Sequence, residues 1–343
     1  MVRFILHPII AFLVALTARL PYSTTKRPLV RYDDARVAQW RRDPPIHAHQ
    51  DILMEINYRP ARLEDLPACI DVFQESFSDM LKRHNLPLPK VLGAARRLEV
   101  FEHCLSTGIF HVAEARGRII AFAAAILRNH LWFLSAFWAR PRSQQSHVGM
   151  QLLRGVWEAG KQSGATTFFV WSSIDLPAMA AYMKLGMLPG SQMLVFEGAP
   201  RLKADAAAGY TAEPLRRSAA MKLDELVLGV RRGVDHEVFI RAAWQGRQVL
   251  HDGEVVGYYY VHEGIISPAA WTDRRHACAL LTLACREASA AGTQVLIMVP
   301  GMNHDAIRFG FDSGLRLVKF EHLFMSAPFG RLEQYLPSGA PLF

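Results

Sequence analysis

A weak internal repeat constrains this chain more than any single residue does. Pro141–Gly186 lies on Ala269–Gly314 without a gap, at a constant offset of 128 positions. Leu152–Leu153 meets Leu280–Leu281, Gly164 meets Gly292, Ala178 meets Ala306 and Gly186 meets Gly314. These five identities barely exceed the roughly three expected from ordinary composition. The pattern carries more weight than the count. In each copy an amphipathic stretch ends at a glycine, an apolar run follows, and a short helical stretch ends at a second glycine. Upstream, Arg116-Gly117 and Asp252-Gly253 each feed an apolar strand, at an offset of 136. Self-similarity at a fixed period implies one supersecondary design used twice.

The 343 residues fit two domains, and 51% of them are hydrophobic, enough for sizeable cores. The formal charge of +8 invites a nucleic-acid reading. Half of it lies in residues 1–53, where Arg3, Arg19, Lys26, Arg27, Arg31, Arg36, Arg41 and Arg42 face only Asp33, Asp34, Asp43 and Asp51. The remainder is ordinary for an enzyme, and no nucleic-acid partner is expected. Cys69, Cys104, Cys278 and Cys285 lack metal or redox spacing, so no metal site is expected. Cys278 and Cys285 share a face of one expected helix as buried thiols, which fits a reducing, cytoplasmic setting. Residues 4–18 are largely apolar, short for a membrane span and interrupted by His7 and Pro8. The preferred reading is an extended leader, with a membrane tether or a signal peptide as alternatives. The spacing predicts an extension over 1–53, a first domain over 54–200 and a second over 201–343.

Along the first copy the patterns predict a strand at 55–62, helices from Leu63 and across 91–105, and a hairpin around Arg116-Gly117. A strand over 131–138, a helix over 148–162, a strand over 166–171, a short helix over 177–185 and a strand over 193–196 follow. The second copy is expected to repeat this order, with 201–209 as linker and 328–343 as irregular tail.

Chemistry concentrates at Pro141-Arg142-Ser143-Gln144-Gln145-Ser146-His147-Val148-Gly149. A strand passes through a polar loop into a helix there. Free N–H groups and the helix dipole at such a junction suit a phosphate. Gly149 lacks the Cβ that would hold a ligand off the backbone.

This loop resembles the acetyl-CoA loop of the Gcn5-related N-acetyltransferase (GNAT) superfamily, Gln/Arg-x-x-Gly-x-Gly/Ala. Gln144 and Gly149 match its first and last positions, and His147 replaces its first glycine. Asp175-x-x-Ala178-x-x-x-Tyr182-x-x-Leu185-Gly186-Met187 resembles the family's Asn-x-x-Ala-x-x-x-Tyr-x-x-Leu-Gly-Phe signature. The resemblance implies an α/β (α+β) fold of two tandem GNAT-like domains, each a mixed, mostly antiparallel twisted sheet flanked by helices. It implies acetyl-CoA as acyl-donor cosubstrate, held by Phe137, Trp138, Ala139, Gln144, Gln145, Ser146, His147, Val148, Gly149 and Asp175. Tyr182 would protonate the departing thiolate, a task suited to a phenol. Asp175 would cap the short helix. An oxyanion donor is expected from the backbone of Phe137 or Trp138. Glu99, Glu102, His103, Glu114 and His130 stand as candidate bases.

The second copy carries Thr272, Arg275, Ala277 and Gly310 where the first has Gln144, His147, Gly149 and Tyr182. It is therefore expected to serve as a structural partner. The leading functional expectation is direct acyl transfer to an amine of a small molecule or peptide. A transferase using aminoacyl-tRNA and a non-catalytic acyl-CoA sensor are the alternatives.

Overall fold

In the computed structural model, residues 55–86, 94–144, 147–290 and 294–343 are described. The expectations for 1–53, including the tether at 4–18, and those for Gln145, Ser146 and Gly292 lie outside them. Among the described residues, no helix is long and apolar enough to cross a membrane.

The first half opens with strand β1 (Ile56–Pro60), helix α1 (Leu66–Arg83) and helix α2 (Ala94–Thr107). Strands β2 (Gly108–Ala115), β3 (Arg118–Arg128) and β4 (Leu131–Ala139) form a meander. Helix α3 (Val148–Gln162), strand β5 (Thr167–Ser172), helix α4 (Leu176–Lys184) and strand β6 (Leu188–Gly198) complete it. The second half repeats the order with β7 (Tyr210–Pro214), α5 (Arg217–Leu228), α6 (Gly233–Arg241), β8 (Gln245–His251), β9 (Glu254–His262) and β10 (Ile265–Trp271). It ends with α7 (Ala277–Ser289), β11 (Val295–Pro300), α8 (His304–Asp312), β12 (Arg316–Met325) and a two-residue strand, β13 (Tyr335–Leu336). Strands β5 and β11 hold the 128-position offset at both ends, as do helices α4 and α8.

Local chemistry explains the helices. Helix α1 starts where Arg62 and Asp65 bond reciprocally and Pro67 fills the first turn. Its buried residues Leu66, Cys69, Val72, Ser76 and Met80 recur at three- and four-residue steps. Helix α3 buries Leu152, Leu153, Val156 and Trp157 and ends before Gly164, whose φ of +91° is a left-handed stop. Gly160 lets this helix close on Trp132, since a Cβ there would lie 2.6 Å from the indole. Cys285 is buried and Cys278 exposed, so the expected shared face of thiols does not form; Cys278 sits in the first turn of α7, outside its packed stripe.

Pairing across the molecule was not foreseen. All strands join one sheet in the order β1-β2-β3-β4-β5-β12-β6-β11-β10-β9-β8-β7, with β13 beside β10. The last strands of the two halves are exchanged: β12 pairs with β5, and β6 pairs with β11. The exchanged strands also pair with each other at the centre. One apolar cluster spans both halves, joining Leu66, Phe122 and Trp171 to Phe239, Tyr258 and Leu323. A buried carboxylate ties the halves further: Asp235 accepts from Arg128 Nε at 2.9 Å and lies 2.6 Å from His103 Nε2.

The tail is not irregular throughout. Leu332, Tyr335, Leu336 and Phe343 are buried, so apolar side chains fix its path. Strand β13 runs antiparallel to β10 through Ala269 and Ala270.

Candidate active site

Strands β4 and β5 pair in parallel only at Leu131–Phe133 with Thr167–Phe169. Beyond those residues their pairing ends, while β5 stays paired with β12 on its other edge and β4 with β3. The gap opens into a cavity of about 1500 Å³.

The backbone edge of β4 faces this gap. Arg140 N donates to Ile120 O on β3 at 2.9 Å. Alternation then turns Trp138 toward β3 and leaves the N–H and C=O of Phe137 on the open side. Of the two residues expected to offer a backbone donor, Phe137 turns its N–H to the gap and Trp138 turns its N–H to β3. The carbonyl of Ala139 is already used, accepting from Ser76 Oγ at 2.8 Å and Gln144 Nε2 at 3.0 Å. Gln144 thereby clamps the loop to the end of β4.

Most of the expected residues converge. Phe137, Trp138, Ala139, Gln144, His147, Gly149, Asp175 and Tyr182 all line the cavity. Val148 does not: its side chain is buried in the core under α3. A hydrophobic residue at the first helical position is drawn inward, so only its backbone could meet a ligand. His147 occupies the cap position of α3 with no side-chain cap bond. Gly149 has a tighter local reason than ligand approach. A Cβ there would stand 3.2 Å from Phe137 Cζ, so the glycine also makes room for that ring.

Asp175 departs from expectation. It precedes α4 but makes no side-chain cap bond. Its carboxylate instead lies 3.5 Å from Arg83 Nη1, and Arg83 also holds Asp79 at 2.8 Å. The carboxylate therefore faces a cation of α1 in place of the helix it precedes.

Tyr182 is 6% exposed, its ring 6.3 Å from Phe137 and 6.0 Å from Phe324. Burial, with the Asp175 charge adding to it, raises its phenol well above the ordinary value. The hydroxyl therefore stays protonated through neutral pH, as a proton donor requires.

None of the five candidate bases lines the cavity. His103 is buried against Asp235 and Arg128 at the junction of the halves. Glu114 pairs with Arg59 at 2.8 Å. Glu99, Glu102 and His130 are exposed away from the cavity. Residues from the second half line it instead: Val318, Lys319, Phe320 and Glu321 on β12, and Ala340 and Pro341 in the tail. Motif spacing within the first copy held no signal for them.

The equivalent gap of the second half is filled. Strands β10 and β11 pair only at Ile265–Ile266 with Leu296–Ile297. Strand β13 then lies along β10, and Asn303 Nδ2 donates to Tyr335 O at 3.1 Å. Tyr258, Tyr260, Asp224, His236 and Arg232 form a buried hydrogen-bonded network beside it.

The acetyltransferase (GNAT) family model matches residues 69–187. Those residues form a GNAT domain. No curated protein matches the chain in sequence. Among solved structures, a Pyrococcus horikoshii protein named as a proposed acetyltransferase is similar at a TM-score of 0.67 and 16% identity, over 87% of this chain and 100% of that one. A tandem GNAT protein from the clavulanic acid biosynthesis pathway is similar at 0.54 and 14%, over 80% and 99%. A GCN5-related N-acetyltransferase from Sphaerobacter thermophilus is similar at 0.54 and 15%, over 81% and 98%. The likeness extends well beyond the GNAT domain, so the fold of both halves is shared.

Proposed function

We propose that this protein is an acyl-CoA-dependent N-acyltransferase, with acetyl-CoA as donor and an amine of a small molecule or peptide as acceptor. The observation that carries the reading is the gap between β4 and β5, which places an open backbone edge, the start of α3 and Tyr182 around one cavity. Residues 54–200 act as the catalytic half and 201–343 as the half that supports it, behind an extension over 1–53.

The N–H groups at the start of α3, with Gly149, receive the pyrophosphate. The pantetheine arm lies along the Phe137 edge. The acceptor nitrogen attacks the thioester carbonyl carbon, forming a C–N bond, and the Phe137 N–H stabilises the developing oxyanion. The C–S bond then breaks. Tyr182 gives its proton to the thiolate sulfur, the amine proton passes to water, and the phenolate is reprotonated from solvent. The buried free thiols Cys69, Cys104 and Cys285 support a reducing, cytoplasmic setting.

Acetyl-CoA at 100 times its Kd should stabilise the native chain by about 2.7 kcal/mol, read as a rise in Tm. Gly149→Glu, which puts a carboxylate at the phosphate site, should remove that rise. Absence of any shift with acetyl-, propionyl- or free CoA would overturn the reading.

A further inference from the structure

Residues from both faces of the sheet line the cavity, and the two sides differ in chemistry. Gly149 and Tyr182 lie on the α3–α4 side, where Leu134, Val170 and Phe324 form the core. The α1 side is aromatic. Phe73 stacks on Phe77 at 5.2 Å and meets Trp138 edge-on at 4.9 Å, and Trp171 belongs to the same apolar cluster.

Three carboxylates line the cavity among the described residues: Asp79, Asp175 and Glu321. Arg83 engages the first two. Glu321 is different, and it comes from β12, the strand that the second half lends to the first. Its side chain is 13% exposed. Trp171 Nε1 donates to its Oε2 at 2.7 Å, which fixes the carboxylate on the aromatic side. Lys319 Nζ lies 2.7 Å from Oε1 but is itself more than half exposed, so that pair is weakened by solvent. Each carboxylate oxygen can accept more than one hydrogen bond, so both keep capacity for a further donor. Strand β12 carries a bulge between Leu317 and Lys319 as it reaches the cavity, a device that re-aims side chains beside sites.

We propose that Glu321 anchors the ammonium group of the acceptor, and that the acceptor is a monoamine on an aromatic or aliphatic body. This rests on the acyltransferase reading. The aromatic wall receives the body. Arg97, whose guanidinium lies 3.9 Å from the Phe73 ring centroid, and Lys319 put positive charge in the same wall. That charge selects against polyamines and basic peptides. The second half thus completes the acceptor site of the first, which gives the strand exchange a functional consequence. Glu321 touches the acceptor nitrogen itself and so binds substrate directly; the ammonium sheds its proton to water before attack.

The test uses the full chain, acetyl-CoA and 2-phenylethylamine as probe, with spermidine and 2-phenylethanol as comparisons. Glu321→Gln keeps an oxygen for Trp171 and removes the charge. It should raise KM for phenylethylamine tenfold or more, with little change in kcat and an unchanged acetyl-CoA thermal shift. Lys319→Gln removes the competing cation and should lower that KM. A native KM in Glu321→Gln, a preference for spermidine, or equal stabilisation of the CoA complex by phenylethanol would overturn the anchor. A missing acetyl-CoA shift in the native chain would instead overturn the acyltransferase reading beneath it.

Discussion

Replacing Tyr182 with Phe removes one oxygen and almost nothing else. The ring sits between Phe137 and Phe324 and is 6% exposed, so phenylalanine fills the same space. The hydroxyl has no hydrogen bond to a described residue, so none is broken. Stability should change by less than about 0.5 kcal/mol, a Tm shift of about 2 °C or less. Catalysis should respond differently. Loss of a general acid costs about 10²–10⁴ in rate, or about 2.7–5.5 kcal/mol of barrier. A thiol of ordinary pKa near 8.5 leaves tolerably without help, which places the expected fall in kcat near the lower end, about 100-fold. The assay follows thiol release colorimetrically at saturating amine, with acetyl-CoA affinity measured separately by titration. Because burial raises the Tyr182 phenol, it does not titrate near neutrality. Any rise of rate between about pH 7 and 9 belongs to another group and should persist in the variant. A kcat within twofold of native, with CoA binding intact, would refute the assignment of Tyr182 to the chemistry.

Two further outcomes follow from the architecture. Calorimetric titration should find one CoA per chain, because β13 occupies the second gap; two equivalent sites would contradict that packing. Arg128→Met should cost about 3–5 kcal/mol at pH 7 in urea unfolding, because it strips Asp235 of its main cation. Burial pushes the Asp235 carboxyl up, yet bonds from His103 and Arg128 outweigh it and hold the group well below its ordinary value. A depressed carboxyl stabilises the fold above its unfolded pKa of about 3.9 and loses that contribution as pH falls toward the folded value. The deficit of the variant should therefore narrow below about pH 4, and a deficit independent of pH would assign the loss to packing alone.

Local order was legible in the residues because it rests on short-range rules. Glycines 164 and 186 end helices by their left-handed φ, Pro67 sits in a first turn, and apolar spacing marks the inner faces of α1 and α3. The placement of His147 and Gly149 at the start of α3 and of Tyr182 on a short helix was legible for the same reason, since each lies in a short contiguous segment. The cap at Asp175 misled because a cation 92 positions away, Arg83, draws on the same carboxylate.

What tertiary structure alone decided is the company these elements keep. Strands β6 and β12 are equivalents within the repeat, so neither pattern states whether each stays with its own half. Their exchange follows from a pairing edge and a shared core, both set by contacts about a hundred positions apart or more. Strand β13 is too short for any period to register, and burial of Tyr335 and Leu336 beside β10 defines it. Glu321 reaches the cavity only through the exchanged strand, which no spacing within the first copy encodes. The repeat identified two similar halves; the long-range pairing lined one cavity from both, because hydrogen-bonding edges and apolar faces are satisfied without regard to distance along the chain.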